Sequence, residues 1–199
     1  MTRVKICGLR RLADVDAVNR ALPDFAGFVF APSRRQVDAT LAARLKERLD
    51  VRIQAVGVFV NQPVEFVAAL HRDGVIDLAQ LHGDEDAAYV RRLRERCGCS
   101  VIKTVGVGDH GAGALPTNVA HVLFDTASAA RGGAGRPFDW RVLADYEGPP
   151  YFLAGGLSAA NVTDAIRTLA PFAVDVSSSV ETDGLKDAEK IEHFVRLCK

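Results

Sequence analysis

The strongest constraint on how this chain can fold is a rhythm of short apolar runs. Stretches rich in valine, isoleucine and phenylalanine recur from end to end: RVKICGL, FAGFVF, RIQAVGVFV, DLAQLHG, SVIKTVGV, HVLFDT, YFLAGGL and AVDVSSSV, eight in all. Between most of them lie segments with helical spacing, such as TLAARLKERLD, PVEFVAALHRDG, EDAAYVRRLRERCG and SAANVTDAIRTLA. Asp84 with the acids that follow it, Pro63 and Ser158 mark helix starts. The unit repeats every 20–30 residues or so, roughly the size of one strand plus one helix.

Strands that alternate with helices imply right-handed crossovers and a parallel sheet. Eight such units close most simply into a single α/β domain, a (β/α)8 TIM barrel over residues 1–199. An open doubly wound sheet is the alternative, but CGLRRL lacks the G-x-G-x-x-G that opens such folds. The fifth unit is the weakest, because GDHGAGALPTNVA reads as a loop rather than a helix.

Composition narrows the function classes. Hydrophobic residues make up 48% of the chain, enough for a sizeable core, and 25 basic residues balance 25 acidic ones. A neutral total gives no support for a nucleic-acid or membrane surface, and no apolar run approaches the roughly 18 residues of a membrane span. The start MTRVKICG has no signal-type apolar region. Of the four cysteines, Cys97 and Cys99 are spaced C-x-C without a His-x-x-x-His partner, which argues against a zinc site, so no metal is expected. Disulfides are not needed by so large a core. The reading is a reduced, cytoplasmic protein.

Strand parity adds chemistry, since alternate side chains face opposite ways. Val4 and Ile6 share one face, Lys5 and Cys7 the other. The same split sets Ala79 and Leu81 against Gln80 and His82, Val122 and Phe124 against Leu123 and Asp125, and Val174 and Val176 against Asp175 and Ser177. The apolar sets pack under helices, which turns the others into the barrel. Charge there is costly unless paired, and Lys5, Lys103, Asp125 and Asp175 are expected inside, as a structural ion-pair network or as a site. Cys7, His82, Asp125 and Ser177 fall at the last strand residues before each loop, the face where barrel enzymes assemble their sites.

The last two loops, AGGL and SSSVE, suggest an anion. Gly155 and Gly156 let a ligand approach the main chain. With Ser178 and Ser179 they form adjacent anion-prone loops where barrels often hold a phosphate. The sixth loop, RGGAGRPFDW, has the glycines and arginines of a lid.

Taken together, KICGL, GFVF…SRRQV, QLHGDE, VIK, LFDT…GGAG…FDW, LAGGL…NV and VDVSSSVE resemble, in order and nearly end to end, the phosphoribosylanthranilate isomerase family of tryptophan biosynthesis. The resemblance implies a cofactor-free barrel that converts N-(5-phosphoribosyl)anthranilate to 1-(2-carboxyphenylamino)-1-deoxyribulose 5-phosphate by an Amadori rearrangement. It also implies Cys7 as general base, Asp125 as general acid and Arg35 as a contact for the anthranilate part. His82 and Asp175 are expected as orienting or hydroxyl-binding groups. The partner is then a small phosphorylated sugar, with no nucleic acid or membrane, and the assembly a monomer or homodimer. Arg10, Gln36, Ala134 and Ser179 depart from the family's usual residues.

The chemistry needs a protonated carboxyl and a thiolate, the reverse of their usual forms at neutral pH. Burial is expected to keep the acid protonated, and Lys5 to favour the thiolate. A Schiff-base aldolase using Lys103 and a catalytically silent phosphate-binding barrel are the rival readings. A dual-substrate relative is disfavoured by cysteine, rather than aspartate, at position 7.

Overall fold

The computed structural model describes residues 1–108, 111–113, 117–126 and 139–199. Eight parallel strands form the framework: β1 (Arg3–Cys7), β2 (Phe25–Val29), β3 (Gln54–Phe59), β4 (Leu78–Leu81), β5 (Ser100–Gly108), β6 (His121–Thr126), β7 (Tyr151–Leu153) and β8 (Ala173–Val176). Each pairs with its chain neighbour, β8 returns to β1, and β4 bonds β5, so the sheet closes on itself and has no free edge among these strands. A short antiparallel piece at Gly111–Ala112 extends β5.

Helices α1 (Leu12–Ala21), α2 (Ala39–Arg48), α3 (Val64–Arg72), α4 (Ala87–Cys97), α5 (Val162–Leu169) and α6 (Ala188–Cys198) cover the outside. Aspartates placed one residue ahead explain several starts. Asp38, Asp86 and Asp187 each accept amide hydrogens of the first turn, so α4 begins at Asp86 rather than at Asp84. Helix α5 starts four residues beyond Ser158, because Asn161 and not the serine stands at its cap. Between β5 and β6 no described residue is helical, as the glycine-rich stretch there suggests. Between β6 and β7 the described residues form only a single 3-10 turn, Trp140–Leu143.

Parity divides the apolar residues into two cores. Val4, Ile6, Ala79, Leu81, Val122, Phe124, Val174 and Val176 lie between strands and helices. Inside the barrel a separate cluster gathers Phe25, Val56, Leu78, Ile102, Leu123, Phe152, Ala154 and Ala173, with Phe172 against it. The rings of Phe25 and Phe152 sit 5.2 Å apart, and His121 packs edge-on to Phe152 at 5.4 Å. This plug fills the lower barrel, which confines polar groups to the upper end.

One expected inward charge belongs elsewhere. Ile102 lies in the inner cluster, so Lys103 shares the outer parity of Val101 and Val105. Its ammonium donates to the carbonyls of Leu81 (3.3 Å) and Gly83 (2.6 Å) and to Glu85 (3.0 Å), and so braces the loop after β4. Position 104, not 103, points inward. The placement on which a Lys103 aldolase depends is therefore overturned.

Phe152→Ala should cost about 3–5 kcal/mol of stability, since the closed barrel cannot collapse around the vacated ring. Chemical denaturation reads the loss directly. A change below about 1 kcal/mol would mean that the inner plug contributes little.

Candidate active site

Cys7 ends β1, and the chain turns sharply after it at Gly8, whose φ is +86°. The amides of Gly8 and Leu9 both donate to the Gly27 carbonyl, at 2.9 and 3.0 Å. Gly27 lies in register with Cys7 on β2, and a Cβ there would stand 2.8 Å from the Cys7 sulfur. At Gly8 itself a Cβ would collide with the Arg35 side chain. The two glycines therefore make room for the thiol and for the arginine behind it.

Below the thiol on the same inward face is Lys5, fully buried and bonded to Asp175 of the adjacent strand at 3.0 Å. Asp175 thus sits one layer beneath the rim. Its other oxygen, Oδ1, is buried with no partner among the described residues. Burial works against charge on Lys5, but Asp175 and Cys7 outweigh it and hold the ammonium firmly protonated. For Cys7, burial is the largest influence and pushes the thiol up; Lys5 and Lys186 pull it down and Asp175 adds to the rise. Lys5 thus acts in the expected direction, but burial prevails and the resting group is a thiol.

Asp125 projects from β6 into the same mouth. Its Oδ1 accepts the Thr126 amide at 2.8 Å, and its Oδ2 lies 3.8 Å from His82 Nε2. The His82 ring is held through Nδ1 by Thr104 Oγ1 at 3.1 Å and Gln80 Nε2 at 3.2 Å. Burial first, then the charge of Asp175, push the Asp125 carboxyl up to about 6. Burial thus acts in the direction expected for an acid, but at pH 7 only about one molecule in ten carries the proton before substrate binds. Gly155, with φ +77°, runs against this carboxyl: a Cβ there would stand 2.5 Å from Thr126 Oγ1 and 3.2 Å from Asp125 Oδ1.

Around the rim runs a charged hub that sequence reasoning did not single out. Glu181 receives Arg35 twice, at 2.6 and 2.9 Å, Arg34 at 2.9 Å and Lys186 at 2.8 Å. Burial opposes its ionisation, but the bonds from Arg35 and Lys186 prevail and hold it at about 2. Lys186 also reaches the Ser177 carbonyl at 2.9 Å, and Ser177 Oγ donates to the Cys7 carbonyl at 2.9 Å. Arg35 thus lies beside the first loop, with its guanidinium fixed by Glu181. The hairpin of Glu181–Thr182 with Leu185–Lys186 explains the pairing: antiparallel register sets Glu181 opposite Lys186, a contact invisible in spacing alone.

The loops after β7 and β8 meet as expected. Gly155 and Gly156 both have positive φ, +77° and +72°. The Asn161 side chain latches the first loop, accepting from the Ser158 amide at 2.8 Å and donating to the Gly156 carbonyl at 3.0 Å. Ser178 opens a 3-10 turn, Ser178–Val180, whose first amides have no partner within the turn. The Ser179 hydroxyl donates to the Leu157 carbonyl at 2.6 Å and ties the two loops together, which leaves its amide as the group it can offer an anion. Of the other departures, Arg10 donates to the Gly184 carbonyl at 3.3 Å and Gln36 to the Phe30 carbonyl at 3.2 Å. Of the lid expected at RGGAGRPFDW, residues 131–138, Ala134 among them, lie outside the described residues.

Comparison with known proteins agrees with this geometry. The family model described as N-(5'-phosphoribosyl)anthranilate (PRA) isomerase matches residues 4–197. The N-(5'-phosphoribosyl)anthranilate isomerase of Endomicrobium trichonymphae is 46% identical over 200 residues, covering 100% of this chain and 99% of that one. The Clostridium acetobutylicum enzyme of the same name is 43% identical, covering 98% and 97%. Among solved structures, phosphoribosyl anthranilate isomerase from Thermotoga maritima superposes with a TM-score of 0.84 at 34% identity, covering 99% and 98%. A phosphoribosyl anthranilate isomerase in complex with reduced 1-(o-carboxyphenylamino)-1-deoxyribulose 5-phosphate does so with a TM-score of 0.83, at 34% identity over 98% and 97% of the two chains. A closed barrel, a thiol and a raised carboxyl at one mouth, and a match from end to end lead to one assignment: this chain belongs to the N-(5'-phosphoribosyl)anthranilate isomerase family.

Proposed function

We propose that this chain converts N-(5-phosphoribosyl)anthranilate to the 1-deoxyribulose 5-phosphate product by an Amadori rearrangement, a step of tryptophan biosynthesis, with Asp125 as acid and Cys7 as base. The observation that carries the assignment of roles is the pair of inward groups at one mouth, a carboxyl raised to about 6 and a thiol beside a buried ammonium. Asp125 protonates the ring oxygen of the ribosylamine, and the C1′–O bond breaks to leave a cationic imine. That cation makes the C2′ hydrogen acidic, because nitrogen takes up the electron pair. Cys7 removes it as a thiolate, and the resulting enol tautomerises to the ketone. Every step is a proton transfer or a bond cleavage within the substrate, so no redox cofactor enters the balance.

The rest of the mouth suits the same substrate. The loops of Gly155–Gly156 and Ser178–Ser179 hold the phosphate, Asp175 Oδ1 and His82 take sugar hydroxyls, and Arg35 faces the anthranilate carboxylate. All these groups come from one chain, so a monomer and a homodimer serve equally well. A Thermotoga maritima relative has been solved as monomers generated from a dimeric enzyme. No helix of the described residues is long and apolar enough to cross a membrane, which accords with a cytoplasmic pathway enzyme.

Loss of substrate fluorescence on incubation with phosphoribosylanthranilate tests the activity. Cys7→Ser and Asp125→Asn should fold and lose at least about two orders of magnitude in kcat; turnover close to wild type in either variant would remove that residue from the mechanism. Arg35→Ala should raise KM by roughly 10- to 100-fold with a smaller change in kcat, the worth of one charge-assisted contact. If KM stays put, the anthranilate lies elsewhere.

The thiol has its own check, which needs no substrate. Lys5→Met removes the largest influence favouring the thiolate, so the pH midpoint for alkylation of Cys7, followed by peptide mass analysis, should move upward. Because Asp175 then remains buried without its cation, the same variant should lose about 3–5 kcal/mol of stability. An unmoved midpoint in folded protein would give Lys5 a purely structural role.

A further inference from the structure

Far from the mouth, at the opposite end of the barrel wall, the structure brings together three side chains that the isomerase chemistry does not use. Cys97 closes α4, Cys99 leads into β5, and His71 lies in the last turn of α3. Their ligand atoms, two sulfurs and an imidazole nitrogen, all lie within 4.8 Å of one another. Gly98, in the left-handed region at φ +67°, reverses the chain between the two cysteines, and a Cβ there would meet nothing within 4 Å. Helices α3 and α4 end side by side, which carries His71 to the pair from a separate segment. This is why the C-x-C spacing, judged against contiguous zinc motifs, pointed away from a metal.

We propose that His71, Cys97 and Cys99 form a binding site for a thiophilic cation of the zinc class. Zinc takes sulfur at about 2.3 Å and imidazole nitrogen at about 2.0–2.1 Å, so tetrahedral ligands lie about 3.5–3.8 Å apart. The three groups are already within about 1 Å of that spacing. The donor set is selective, since two thiolates and an imidazole favour zinc over magnesium or calcium. Burial grades across the site: Cys99 is fully buried, while Cys97 and His71 are half-buried and open to entry from solvent. The competing bonds are weak. Cys97 Sγ donates to the Leu93 carbonyl at 3.3 Å and Cys99 Sγ to the Ser100 carbonyl at 3.5 Å. Among the described residues, no group hydrogen-bonds or ion-pairs with the His71 imidazole.

Binding is an exchange in which both thiols lose a proton to solvent as two metal–sulfur bonds form, with no change of oxidation state. Three protein ligands leave the fourth position to water. A bound ion cross-links α3 and α4 to the start of β5, and so acts on stability rather than on the catalytic mouth.

Reduced protein, freed of metal by chelation, is titrated with Co2+ as a spectroscopic probe and then with Zn2+. The expected result is a one-to-one thiolate-to-cobalt charge-transfer band that Zn2+ displaces. His71→Ala and Cys97→Ser, both at half-buried positions, should each weaken binding at least about tenfold, while Cys7→Ser and Cys198→Ser should leave the band intact. Zn2+ at a hundredfold excess over its Kd should raise the wild-type Tm by about 5–10 °C, a rise much reduced in His71→Ala. Absence of the band in folded wild-type protein overturns the proposal, as does a band of full strength in both His71→Ala and Cys97→Ser.

Discussion

The buried pair of Lys5 and Asp175 is the constraint around which the barrel interior is organised. The two residues lie in register on adjacent strands at the seam where the last strand meets the first, and their charged atoms are 3.0 Å apart. Taking both ions out of water costs several kcal/mol each, and their attraction only roughly offsets that cost. Two well-packed aliphatic residues would serve stability as well or better. What such residues would not supply is a positive charge directly beneath Cys7, together with a carboxyl whose charge reaches Asp125, although burial pushes the Asp175 carboxyl itself up against the pull of Lys5. Both neighbours have their protonation set partly by this pair. The same seam therefore closes the fold and sets the charge of the mouth.

The interior accommodates this charge by a division of space. Below, phenylalanines and aliphatic residues fill the barrel to the wall. Above, side chains are removed rather than added: Gly27 leaves room for the Cys7 sulfur, and Gly155 for the Asp125 carboxyl. A methyl at either place would push a reacting group off its position. The glycines are thus as much part of the site as the acid and the thiol, although they carry no functional group. The lower plug keeps water from reaching the ion pair from beneath, and this is what sustains the shifted proton affinities above it.

Much of this was legible in the sequence, for definite reasons. The eight apolar runs announced the closed parallel sheet, and period-two parity placed Lys5, Cys7, Asp125 and Asp175 correctly, because an uninterrupted strand has only two faces. Lys103 shows where parity fails when its origin is misjudged. Ile102 and Lys103 differ by one place, and only the packing of Ile102 into the inner cluster reveals which of them faces inward. Helix α5 begins late because a local hydrogen bond, from the Ser158 amide to Asn161 Oδ1, overrides a plausible serine cap. The Glu181 hub was hidden for another reason. Three of its four bonds join residues from the loop after β2 to a hairpin nearly 150 positions later, and no local pattern encodes that meeting. Gly27 could have been suspected as a missing side chain on an inward position beside Cys7, once β1 and β2 were taken as neighbours.

The proton affinities also impose an order on the proposed reaction. Asp125, raised to about 6, holds an available proton in about a tenth of molecules at pH 7 before any bond has changed, far more than an ordinary aspartate would. Cys7, raised by burial, rests as a thiol despite the ammonium below it. The acid is therefore ready first, and the base is not. Ring opening places a cationic imine next to the sulfur, and a positive charge at that distance lowers a thiol's pKa by the same electrostatics through which Lys5 already acts. On this account the base is generated by the product of the first step, when a proton has become acidic enough to remove. A thiol that ionises only on that signal is also shielded beforehand from the oxidation and alkylation to which exposed thiolates are prone. Burial, which opposes ionisation of Cys7 in the resting enzyme, is what puts the two proton transfers in sequence.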